Sequence, residues 1–143
     1  WKNPYAMSKY SLEQIAPENS IGCRFTTVYG PNARDTMLIP RILRNDVPYI
    51  NTNHSRDFIH VDDIVRAIDS LINSNLKGIT DIGSGHTNNL VELIDYFGID
   101  CERVVGEQTE RLDNLADNTL LNNIGWQPRI NLYEYIKENR NDN

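Results

Sequence analysis

The sequence predicts a single mixed α/β unit, and three observations lead there. Short runs of strand-forming residues alternate with stretches whose apolar residues recur at helical spacing. Pro17, Gly98 and Gly125 close helical stretches rather than interrupt them. Hydrophobic residues make up 39% and charged residues 24% of 143 positions, enough for one domain with a real core. No internal repeat, low-complexity stretch or linker divides the chain.

The elements follow in order. Asn3 suits a helix cap and Pro4 the first helical position, where its missing N–H costs nothing. Tyr5 through Ala16 then continue the helix until Pro17. Ile21 to Val28 reads as a strand carrying Cys23, Phe25, Thr27 and Val28, ended by the Tyr29-Gly30-Pro31 turn. Met37 to Asn45 suits a short helix near Pro40. A loop over Asn51 to Ser55 leads to a brief extended segment with Phe58, Ile59 and Val61. Asp62 or Asp63 then caps the clearest helix, whose stripe is Ile64, Val65, Ile68, Leu71 and Ile72. Ile79 to Ile82 is a short strand running into Gly83-Ser84-Gly85. Leu90, Val91, Leu93, Ile94 and Phe97 form the next apolar helix face, stopped by Gly98. Arg103 to Val105 suits another strand. Asp117 caps a helix with Leu120, Leu121 and Ile124, closed by Gly125, and a last helix begins after Asn131. Trp126 reads as packing for this C-terminal part. The polar tail from Asn139 to Asn143 is expected to fray.

Charge and composition narrow the function classes. A net charge of −6 argues against a general nucleic-acid binder, which needs a basic face. An anionic small ligand remains compatible, because a few placed arginines bind phosphate even on an acidic protein. No apolar run approaches the ~20 residues of a membrane span, and no signal-peptide pattern is present. Cys23 and Cys101 lack framework spacing, which fits a reduced, cytoplasmic setting. The chain opens at Trp1 rather than Met and meets an organised motif at once, so its natural start is expected further upstream.

Several residues carry chemistry or its appearance. Tyr5 and Lys9 lie four apart on the first helix and share a face. An ammonium beside a phenol favours the phenolate, which suits exchange of a proton with a hydroxyl. The bland alternative is an exposed helix face. Arg56-Asp57 reads either as a surface ion pair or as a phosphate-binding arginine with a neighbour. Gly83-Ser84-Gly85 lacks a third glycine at dinucleotide-fingerprint spacing and reads as a turn. His54, His60 and His86 show no metal-ligand spacing, so no metal site is expected.

Taken together, five ordered segments carry a resemblance. Tyr5-Ala6-Met7-Ser8-Lys9 resembles the Tyr-x-x-x-Lys signature of short-chain dehydrogenases/reductases. Arg24 to Pro31, Arg56 to Asp63, Asp81 to Gly85 and Ile124 to Pro128 resemble successive segments of that family's extended branch, the nucleotide-sugar epimerases and dehydratases. The likeness spans nearly the whole chain. It implies the C-terminal part of a Rossmann-like doubly wound fold plus a small substrate-binding α/β subdomain. Residues 1–31 would end the NAD-binding domain and merge into the substrate-binding one. The glycine-rich fingerprint, its ribose-binding acid and the catalytic Ser/Thr belong before Tyr5 and have no counterpart in this sequence.

The resemblance also implies roles. Tyr5 would be the catalytic acid/base, and Lys9 would hold the nicotinamide ribose. Phe25 would approach the nicotinamide. Thr27, where most relatives carry asparagine, would contact the substrate. Leu38, Pro48, Tyr49 and Ile50 would wall its nucleotide, and Arg56 would bind its diphosphate, a task suited to a planar, always-charged guanidinium. Arg111 would be a second phosphate ligand. The segment from Lys9 to Arg24 is shorter than in relatives by roughly two helical turns, and Asp81 also stands where asparagine is common. The implied activity is NAD-dependent nucleotide-sugar epimerisation through transient oxidation of a sugar hydroxyl. A 4,6-dehydratase or decarboxylase on the same scaffold, and a non-catalytic nucleotide-sugar binder, are the alternatives. NADP stays open beside NAD, and relatives are commonly homodimers.

Overall fold

The computed structural model describes residues 3–107 and 112–140. Its first element, helix α1 (Pro4–Gln14), begins as the sequence predicts. The Asn3 side chain accepts from the N–H groups of Tyr5 (2.9 Å) and Ala6 (3.4 Å), and the helix ends ahead of Pro17. None of its residues is buried. Arg24 ties it down by donating to both carboxylate oxygens of Glu13, at 2.7 and 2.6 Å.

The predicted Ile21–Val28 strand is in fact two, β1 (Ile21–Phe25) and β2 (Thr27–Tyr29). Three further strands explain the break: β3 (Tyr49–Asn51), β4 (Ser55–His60) and β5 (Gly78–Ile82). β1 runs parallel to β5, from Ile21 opposite Gly78 to Phe25 opposite Ile82. β5 ends there at the Gly83 turn, so the chain must find a new neighbour. Thr26 donates its N–H to the Ile82 carbonyl (3.1 Å), and β2 then pairs in parallel with β4, Thr27 opposite Phe58. The first half of β4 pairs antiparallel with β6 (Thr87–Asn89), and β3 lies parallel to β7 (Glu102–Val104).

Strand β4 also separates two cores, because successive side chains of a strand point to opposite faces. Phe58 joins one cluster with Tyr29, Ile50, Leu93 and Ile136. Ile59 joins the other, with Ile64, Leu71, Ile82 and Trp126. The remaining helices are α2 (Leu38–Leu43), α3 (Val61–Ile72), α4 (Leu90–Tyr96), α5 (Thr119–Asn123) and α6 (Leu132–Asn139). Asn89 and Asn131 cap α4 and α6 through their side chains. Gly98 and Gly125 take the left-handed conformations (φ 61° and 84°) that close α4 and α5.

Helix α3 corrects two expectations. Its cap is His60, whose ring Nδ1 accepts the Asp62 N–H at 3.2 Å, not Asp62 or Asp63. Asp63 is buried instead and holds the C-terminal segment. Its carboxylate accepts the N–H groups of Arg129 and Ile130 at 3.0–3.2 Å and pairs with Arg66. Trp126 donates its indole N–H to the Asp63 carbonyl at 3.2 Å, which accounts for its burial. The buried stripe is Ile64, Ala67 and Leu71, whereas Val65 and Ile72 are 59% and 75% exposed. Spacing alone had merged two faces, of which only one meets this core.

Among the described residues no helix is long and apolar enough to cross a membrane. No three His, Cys, Asp or Glu side chains among them gather as a metal site would require. Both cysteines are free thiols, and burial raises each above its ordinary value.

Candidate functional site

The site residues fall into two groups. The first lies on α1. Tyr5 is 68% exposed, and the Lys9 ammonium stands 5.3 Å from its ring centroid. One helical turn separates the two residues, which brings the side chains onto a common face. Phe25 is 48% exposed at the carboxyl end of β1, where ligands of open parallel sheets gather.

The second group is assembled by the segment 112–114. Asn114 donates its amide to the Thr27 hydroxyl (3.4 Å) and accepts the Asp57 N–H on its own oxygen (2.7 Å). Leu112 offers its carbonyl to the Arg56 guanidinium (2.9 Å) and to the Ser55 N–H (2.8 Å). Arg56 also reaches the Ser55 carbonyl (2.9 Å) and His54 Nδ1 (3.0 Å). Thr27 and Arg56, far apart in sequence, thereby share one strap. No hydrogen bond or ion pair links Tyr5 or Lys9 to them among the described residues. Arg111 lies outside the described residues.

The expected nucleotide wall is divided. Pro48 and Tyr49 are exposed and Leu38 is half-buried at the start of α2, but the Ile50 side chain is buried in the first core. Ile50 can therefore face a ligand only through its backbone.

Arg56 and Asp57 are not an ion pair, because adjacent strand residues face opposite sides. Asp57 is fully buried. Its carboxylate accepts the Ser84 N–H and hydroxyl (both 2.7 Å), the Gly85 N–H (3.1 Å) and the Ala116 N–H (3.1 Å). A β-carbon at Gly83 would fall 2.5 Å from both Asp57 Oδ2 and Ala116 Cβ, which is why the turn opens with glycine. The turn thus spends the Ser84 and Gly85 N–H groups on the Asp57 carboxylate and the Gly83 N–H on the Asn118 amide oxygen (3.4 Å), which leaves them unable to cradle a pyrophosphate. Sequence reasoning took this segment for a turn but missed Asp57, whose donors arrive from distant positions that no local pattern marks.

Two grooves, of about 380 and 460 Å³, flank Ser84 and His86. Neither is lined by Tyr5, Lys9, Thr27 or Arg56. The candidate site is therefore identified by its side chains rather than by either groove.

Comparison with known proteins agrees with this architecture. The chain is 33% identical over 112 residues to an ADP-L-glycero-D-manno-heptose-6-epimerase of Brachyspira hyodysenteriae, covering 64% of this chain and 35% of that protein. Among solved structures it is similar to TunA, an NAD dependent NDP-hexosamine 5,6-dehydratase involved in tunicamycin biosynthesis. There the TM-score is 0.80 with 27% identity, over 96% of this chain and 52% of the other. MoeE5, solved in complex with UDP-glucuronic acid and NAD, gives a TM-score of 0.80 with 25% identity, over 96% and 54% of the two chains. The chain therefore spans about half the length of these solved structures and about a third of the curated relative. Residues 2–83 match the model of the NAD dependent epimerase/dehydratase family. With more than half of its length in that match, the chain belongs to the NAD dependent epimerase/dehydratase family.

Proposed function

We propose that this chain supplies the catalytic tyrosine–lysine pair and the substrate-binding part of an NAD-dependent nucleotide-sugar epimerase. The observation that carries the reading is the Tyr5–Lys9 pair: an ammonium 5.3 Å from the centroid of the tyrosine ring, one turn apart on the same face of α1. In this reading residues 1–31 close the dinucleotide-binding domain and the remainder binds substrate.

The residues present fit one end of the cofactor. Tyr5, Lys9 and the exposed Phe25 ring suit a nicotinamide and its ribose. The only Gly-x-Gly turn in the sequence is already committed to Asp57, so the pyrophosphate must be held by residues other than these. NAD, when bound, would supply reversible hydride transfer at the sugar carbon. Tyr5 accepts the proton of the sugar hydroxyl and gives it back, and Lys9, one turn further along the same helix face, holds the nicotinamide ribose. Thr27 donates a hydrogen bond to the sugar. Arg56 pairs with the diphosphate, and Leu38, Pro48 and Tyr49 flank the nucleotide.

The test is Tyr5→Phe in the intact protein. Turnover should fall by at least ~10²–10⁴-fold, the usual contribution of a general acid–base group, with substrate binding nearly intact. Near-normal turnover would remove Tyr5 from the chemistry. A dehydratase is the second reading, favoured by the 27% identity to a 5,6-dehydratase along 96% of this chain. Product analysis separates the two, since epimerisation conserves mass and dehydration loses one water. Binding without any turnover would favour a non-catalytic nucleotide-sugar binder.

A further inference from the structure

We infer that Asn114 is a positioning residue that fixes sugar recognition by orienting the Thr27 hydroxyl, an inference resting on the substrate role proposed above for Thr27. Asn114 is half-buried, and its amide is held at both ends. Its oxygen accepts the backbone N–H of Asp57 at 2.7 Å, and its nitrogen lies 3.4 Å from Thr27 Oγ1. The first contact decides the second. A backbone N–H can only donate, so the amide oxygen must face Asp57 and the NH₂ group must face Thr27. The Asp57 N–H is itself immobile, because the carboxylate of the same residue is locked by Ser84, Gly85 and Ala116. Thr27 Oγ1 therefore receives a proton from Asn114, and its own O–H proton must point elsewhere. A threonine hydroxyl has one donor and two acceptor positions. With an acceptor position filled by Asn114, Thr27 is left as a hydrogen-bond donor aimed at the ligand.

In the proposed reading Thr27 stands between Phe25, at the nicotinamide, and Arg56, at the diphosphate. Its donor therefore addresses an oxygen of the sugar, and Asn114 acts on the sugar through it. The backbone that Asn114 bridges is also the strap that carries Leu112 to Arg56. Sugar and diphosphate contacts thus hang on one segment but on different residues of it.

Asn114→Asp reverses the arrangement with little change of shape. The Asp57 N–H keeps its acceptor, but the carboxylate draws the Thr27 proton inward and away from the ligand. The experiment measures affinity of the intact protein for UDP-glucose and for UDP by calorimetry, and reads the ratio of the two. The ratio cancels any general effect of the new charge. Asn114→Asp should lower the ratio by about fivefold, the worth of one hydrogen bond. In a Thr27→Val background, which has no hydroxyl to orient, the same substitution should leave the ratio unchanged. An unchanged ratio in the single variant, or an equal drop in the Thr27→Val background, overturns the inference while leaving the functional reading intact. Failure of the unsubstituted protein to bind UDP-glucose and likewise its ADP, GDP, CDP and dTDP counterparts sinks the functional reading, and this inference with it.

Discussion

Removing the Asp57 carboxylate should cost far more stability than its single position on a short strand suggests. Four donors converge on it, at 2.7, 2.7, 3.1 and 3.1 Å, from the Ser84 backbone and hydroxyl, Gly85 and Ala116. In Asp57→Ala the Ser84 hydroxyl can rotate to another acceptor, but three backbone N–H groups cannot. An unsatisfied buried donor costs about 1–3 kcal/mol. Taking the lower end for each, because Ser84 and Gly85 are only partly covered, gives a loss of about 3–4 kcal/mol. That is a large share of the ~5–15 kcal/mol typical of a folded domain. Asp57→Asn should lose about two thirds as much, since one oxygen still serves the Ser84 N–H while the NH₂ faces the Gly85 and Ala116 N–H groups. Urea unfolding, followed by the fluorescence of buried Trp126, measures both. A loss below about 1 kcal/mol for Asp57→Ala would refute the reasoning, showing that water replaces the carboxylate without penalty.

Three further outcomes follow from the geometry. Gly83→Ala places a methyl 2.5 Å from Ala116 Cβ and Asp57 Oδ2, so it should destabilise by about 1–3 kcal/mol, and a melting temperature equal to that of the unsubstituted protein would contradict the packing. Burial lowers the His60 pKa from its ordinary 6.5, with Asp62 partly opposing; the unfolded chain then takes up this proton at higher pH than the folded one, so this stability is present above 6.5 and is lost as pH falls through that value towards the lower folded one. His60→Asn, which keeps a cap acceptor but does not titrate, should flatten the urea midpoint between about pH 7.5 and 5.5. Arg56→Ala should weaken nucleotide-sugar binding by about 1.5–3 kcal/mol, the worth of a charged hydrogen bond; unchanged affinity with a lowered melting temperature would assign the residue to structural contacts such as those with Ser55, Leu112 and His54.

What the sequence made legible was local. The Asn3 cap, the Pro17 stop, the Gly98 and Gly125 closures and the Asn131 cap each depend on residues within one turn of one another, and each appears where expected. The Tyr5–Lys9 pair was legible for the same reason, since four residues of helix determine it. The break at Thr26 was not, because nothing in Ile21–Val28 records that β5 stops at Ile82 and β4 takes over. Nor was the role of Asp63, which as the third residue of α3 looked like a cap but meets Arg129 and Ile130 from the far end of the chain. Val65 and Ile72 fitted an apolar stripe by spacing, yet only the packed structure tells which of two faces this core uses. The strap through Asn114 was hidden because its partners, Thr27 and Asp57, lie on different strands.

The single residue between β1 and β2 has a consequence for how the chain tolerates changes of length. Phe25 is in register with Ile82 and Thr27 with Phe58, and only Thr26 separates the two pairings. Shifting a strand by one residue turns every side chain to the opposite face. An insertion or deletion at Thr26 would therefore exchange inside for outside along one of the two sheets, turning either Phe25 or Thr27 to the opposite face. The turn over Pro17–Ser20, held by the Ser20 N–H on the Pro17 carbonyl, precedes both registers and is itself tied to the start of β5 through the Gly78 N–H on the Ser20 carbonyl (3.0 Å) and Lys77 on Asn19 (2.6 Å). Length is thus fixed most tightly over the three residues from Phe25 to Thr27, which set the offset between the two sheets.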